Sequence, residues 1–117
     1  MSGDVEATIA TMRDAASILR SVTSSTADEV KVLVAVRNAV DAAMCERLAA
    51  MDAAKEHEAE GASSIVTWAR RELHQDATVT RQMVKAAGTF RDLPEVGEAA
   101  RSGEISFEHV TSFTYAL

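Results

Sequence analysis

Apolar residues recur every three or four positions through most of this chain, and that spacing confines it to helices. In the first segment Val5, Ile9, Met12, Ala16 and Leu19 fall on one side of a helix, because 3.6 residues per turn bring such positions into line. Strands would need strict alternation and a supply of aromatic and β-branched side chains, yet only 4% of the residues are aromatic. A core must therefore come from Ala, Val, Leu, Met and Ile. One Pro and five Gly are too little punctuation for an all-β chain. The 117 residues suffice for one domain and are short for two.

The first helix is expected from an N-cap at Asp4 to about Val22, broken at Thr23-Ser24-Ser25, whose side chains compete for backbone hydrogen bonds. A capping box, Thr26 to Glu29, opens the second. It is expected to run to about Glu60, with Gly61 as its C-terminal cap and Leu33, Val36, Val40, Met44, Leu48 and Met51 along one face. Such a helix would be roughly 50 Å long at about 1.5 Å per residue. Its far end must then pack on the C-terminal half, on a second copy, or on further chain.

Ser63 or Ser64 caps the third helix, with Ile65, Trp68, Ala69 and Leu73 inward. His74-Gln75-Asp76 reads as a short turn, and Asp76 caps a fourth helix, Ala77 to Arg91. Thr80, Met83, Val84, Ala87 and Phe90 should face inward there. Gly88 lies inside this helix at a cost of about 1 kcal/mol against Ala, which suggests a close crossing or a kink. A fifth helix starts near Pro94 and ends at Gly103, and a sixth follows Ser106. That sixth helix carries no stop signal before Leu117, which points to a truncated longer protein.

The expected architecture is therefore all-α, one domain of about six helices. A long acidic helical hairpin (residues 1–61) leads into a helix-turn-helix-like half (residues 62–117).

Net charge is −6, so the chain as a whole is not a general polyanion binder. The distribution is uneven. Between Ala62 and Arg91 the bases Arg70, Arg71, Arg81, Lys85 and Arg91 face only Glu72 and Asp76. A basic window in an acidic chain is suited to phosphate contact, or is simply the solvated face of a helix. The single cysteine, Cys45, excludes an internal disulfide and reads as a small buried hydrophobe. The N-terminus lacks a basic region followed by an apolar run, and no stretch is long and apolar enough to span a bilayer. A cytoplasmic location and no membrane partner are expected.

Catalytic patterns are incomplete. His57-Glu58 opens a zincin-like motif, but Gly61 stands where the second histidine belongs. No carboxylate precedes any of the three histidines by three positions, as a di-iron bundle would need. There is no glycine-rich phosphate loop, and Ser63 and Ser64 are placed as caps. The sequence thus assigns no catalytic residue, no metal ligand and no cofactor.

Helices three and four, joined by a short turn, fit a DNA-binding helix-turn-helix, whose second helix enters the major groove. Its outward positions would be Thr78, Arg81, Gln82, Lys85 and Thr89, the first four of them suited to DNA contact. Arg pairs bidentately with guanine, Gln with adenine, and Lys with phosphate. Arg70 and Arg71 could brace the backbone from helix three. The turn lacks the frequent Gly. The competing reading is a plain helical hairpin with a charged outer face.

The series Gly61-Ala62-Ser63-Ser64, Trp68, Ala87, Leu93-Pro94, Ala99, Gly103-Glu104-Ile105-Ser106 and His109 resembles the actinobacterial 13E12-repeat family, also known as domain of unknown function 222. The resemblance covers about half of the chain. It implies the helical N-terminal region that precedes an HNH nuclease domain in such proteins. His74-Gln75-Asp76 departs from the more apolar loop usual there, and the HNH motif itself is absent, so nuclease activity does not carry over. The segment from Leu93-Pro94 to His109 is also similar to the stretch after the recognition helix in ParB-type partition proteins, diverging beyond His109. Those partition proteins bind DNA through a helix-turn-helix, and together with the HNH-associated resemblance this leads to the expectation of a DNA-binding or DNA-positioning module without catalysis. The alternative is a dimerisation or protein-interaction module, with a homodimer formed through the long second helix.

Overall fold

The computed structural model describes residues 3–21 and 26–116. Seven helices account for nearly all of them: α1 (Gly3–Ser21), α2 (Ala27–Ala54), α3 (Glu56–Ala59), α4 (Ile65–Leu73), α5 (Ala77–Asp92), α6 (Pro94–Arg101) and α7 (Phe107–Ala116). No strand occurs among the described residues. The all-α expectation holds, with one helix more than about six. The Thr23-Ser24-Ser25 break and the end of the chain at Leu117 lie outside the described residues.

The extra helix comes from a break in the expected long helix. Lys55 adopts a left-handed conformation, φ 56°, so α2 stops at Ala54 and is about 42 Å long. In an unbroken helix His57 would continue the line of Ala43, Ala50 and Ala54, all exposed. The turn at Lys55 instead buries His57, which is 5% exposed. Gly61, at φ 80°, closes α3. Its amide donates to the Glu58 carbonyl and that of Ala62 to the His57 carbonyl.

Four of the expected caps form, whereas Asp4, expected to cap the first helix, lies inside α1, which begins at Gly3. The Thr26 amide donates to Glu29 Oε2 and the Glu29 amide to Thr26 Oγ1, each at 3.2 Å, which is the reciprocal capping box. Ser64 caps α4, accepting from the Thr67 amide at 3.0 Å. Asp76 caps α5 through the Thr78 amide at 2.8 Å. Ser106 caps α7 through the His109 amide at 3.1 Å.

The described residues group into two compact units, Met1–Lys31 and Val32–Leu117. The division falls within α2, between Lys31 and Val32. In the first unit, α1 has no buried residue; Val5, Met12, Ile18 and Leu19 are all exposed. The second unit holds the core. Ala42, Cys45 and Leu48 of α2 join Ile65, Met83, Ala86, Phe90, Ala100, Phe107 and Val110. Cys45 is fully buried. Trp68 packs against this core without being fully enclosed.

The side of α2 that faces the core agrees with the expected one only in its second half, where Leu48 is buried and Met44 and Met51 pack against the core. Leu33, Val36 and Val40 are exposed, while the inward positions are Asn38, Ala42, Cys45 and Leu48. The cause is a close backbone approach. A Cβ at Gly103 would overlap the Ala35 carbonyl oxygen, so the first half of α2 meets the turn after α6 along the side that carries Ala35 and Asn38. A second close approach sets α6 on α5, where a Cβ at Gly97 would stand 2.7 Å from the Phe90 carbonyl oxygen. Gly88, expected at a crossing or kink, has only a terminal Arg91 nitrogen near its missing Cβ, at 3.9 Å. Nothing in the structure requires a glycine there. Leu73, expected inward, is 40% exposed.

Candidate nucleic-acid interface

The candidate surface is built on α4, the three residues His74, Gln75 and Asp76, and α5. His74 ends α4 in a left-handed conformation, φ 55°. This is the backbone state that usually calls for glycine at a helix end, so the missing Gly is replaced by a histidine taking its conformation. The Gln75 amide is spanned across the turn, with Nε2 donating to Thr80 Oγ1 at 2.8 Å. Asp76 then starts α5. Both sides of the turn are therefore fixed by hydrogen bonds, and α5 leaves it in a defined direction.

One side of α5 is rooted in the core. Ala77, Thr80, Met83, Ala86 and Phe90 are buried, Thr80 and Ala86 completely. Apolar burial of this kind, on the order of 1.5–3 kcal/mol for each large side chain, holds the helix in place. The positions left over are the expected ones. Thr78, Arg81 and Lys85 are exposed on the opposite side, spaced by three and four residues, and Gln82 is half-buried on the flank of the same face. Val84 and Ala87, expected inward, and Thr89, expected outward, are half-buried. Steps of three and four align these side chains over two turns, about 10 Å along the axis.

The two arginines of α4 are placed differently from each other. Arg70 is exposed and enters none of the ion pairs formed among the described residues. Arg71 is engaged within the fold. Its Nη2 donates to the Glu60 carbonyl at 2.8 Å and its Nε to Glu72 Oε1 at 3.1 Å. It thus closes the end of α3 against α4, a stabilising role that sequence reasoning missed because Glu60 is eleven positions away. Arg91, with Nε 3.3 Å from Asp92 Oδ1, has its charge partly offset at the end of α5.

Chemically, this surface can donate hydrogen bonds and positive charge to an anionic or base-edge partner. Among the described residues no group of three or more His, Cys, Asp and Glu side chains is arranged to hold a metal ion, and no helix is long and apolar enough to cross a membrane. The buried His57 has an Nδ1 without a hydrogen-bond partner, but it lies on α3, away in sequence from the exposed basic face.

No family model, curated protein or solved structure matches this chain.

Proposed function

We propose that this chain is a DNA-binding or DNA-positioning helical module without an active site of its own, acting in the cytoplasm. It would play the part implied by its resemblance to the helical region that precedes an HNH nuclease domain. One observation carries the reading: Thr78, Arg81 and Lys85 form an exposed face on a helix that follows a three-residue turn and is anchored behind by Thr80, Met83 and Phe90. In a major groove, Arg81 and Gln82 would address base edges, while Lys85, Thr78 and Arg70 would contact phosphate and sugar. Arg71, tied to Glu60, would hold the scaffold and contribute charge only at a distance.

Fluorescence anisotropy of labelled duplex DNA tests this directly. The intact chain should bind at low salt, and Arg81→Ala should weaken binding by about tenfold to a hundredfold. Absence of binding at low salt would remove the proposal.

A second reading, a pairing module with no nucleic-acid role, is favoured by the exposed apolar residues of α2: Val32, Leu33, Val34, Val36 and Val40. A helix apolar on several sides calls for a covering partner.

A further inference from the structure

The residues on the exposed side of α2 form a pattern that specifies its own partner. Glu29, Leu33, Val36, Val40, Ala43 and Arg47 are all exposed and are separated by four, three, four, three and four residues. That is the seam spacing of paired helices. The stripe is also symmetric about position 38. Glu29 and Arg47 stand nine residues either side of it, Leu33 and Ala43 five, and Val36 and Val40 two. Asn38 itself points the other way, buried and donating to the Gly103 carbonyl.

We infer that α2 pairs with α2 of a second copy of this chain, antiparallel about a two-fold axis passing position 38, with Glu29 of each copy opposite Arg47 of the other. This rests on the reading of α2 as a pairing surface and adds the occupant, orientation and register. A two-fold interface must be self-complementary, and this stripe is. Val36 meets Val40 of the second copy, the large Leu33 meets the small Ala43, and an acid meets a base at each end. A parallel pair in register would set Glu29 against Glu29 and Arg47 against Arg47, placing like charges together. Glu29 keeps its cap with Thr26 in this arrangement, since that contact uses one carboxylate oxygen. Arg47 enters none of the ion pairs among the described residues. The paired length, nineteen residues spanning about 27 Å, suits weak, concentration-dependent association.

Sedimentation equilibrium of the intact chain over a wide concentration range tests the inference. The wild type should approach a dimer, and Val36→Lys should abolish association. Arg47→Glu alone should weaken it by about tenfold, since two attractions become two repulsions. Combining Arg47→Glu with Glu29→Arg should restore it, even though the Thr26 cap is then lost. Circular dichroism must show unchanged helix content in Arg47→Glu. A monomer at all concentrations, or a dimer indifferent to Val36→Lys, overturns both the inference and the reading of α2 as a pairing surface. A dimer lost in Val36→Lys but indifferent to the charge reversals overturns the antiparallel register and leaves the pairing reading standing.

Discussion

The side-chain amide of Asn38 donates to the backbone carbonyl of Gly103 at 3.2 Å, buried, across 65 positions of sequence. The contact joins α2 to the turn between α6 and α7 where the two backbones come closest. It also explains why a polar residue sits on the core side of α2. Asn38→Ala would leave the Gly103 carbonyl without this donor, in a site too tight for easy rearrangement. Stability to chemical denaturation should fall by about 1–3 kcal/mol, with helix content retained.

The glycines separate packing from propensity. Gly88→Ala adds a methyl to open space beside α5 and should stabilise the protein by about 0.5–1 kcal/mol. Gly97→Ala sets its methyl 2.7 Å from the Phe90 carbonyl oxygen and should destabilise by about 1–3 kcal/mol despite the same gain in propensity. Thermal denaturation of the two variants should move in opposite directions.

Cys45 is buried in the core, and burial, reinforced by the negative charges of Asp41 and Glu46, pushes its thiol from 9.0 up to about 12. The thiolate is therefore scarce at neutral pH, and alkylation should proceed only through opening of the fold. Since the folded value exceeds the unfolded one, the group's contribution to stability is complete below pH 9 and is lost as pH rises towards about 12. Iodoacetamide labelling should be slow in buffer and fast in denaturant. Labelling at equal rates in both would contradict the burial.

Much of this structure was legible in sequence because it depends on neighbours. The caps at Thr26, Ser64, Asp76 and Ser106 each need only residues two or three positions away. The outward face of α5 followed from spacing alone, since Thr80, Met83 and Phe90 claim the inward side. What spacing could not reveal was long-range. The rotation of α2 depends on Gly103 approaching Ala35, and without that contact Leu33, Val36 and Val40 look like the core face. The break at Lys55 was equally hidden. Neither Gly nor Pro marks it, although the turn is what brings His57 into the interior. The tie between Arg71 and the Glu60 carbonyl, eleven positions away, is likewise beyond the reach of spacing.

The salt dependence of DNA affinity bears most directly on the proposed role of α5. Each phosphate neutralised by a cation releases counterions, so the logarithm of affinity falls linearly with the logarithm of salt concentration. Measured on one duplex for the wild type and Lys85→Gln, the wild type should show a steep negative slope, made shallower by about one in the variant. A flat wild-type slope, or identical slopes and affinities in the two proteins, would contradict a nucleic-acid contact at this face.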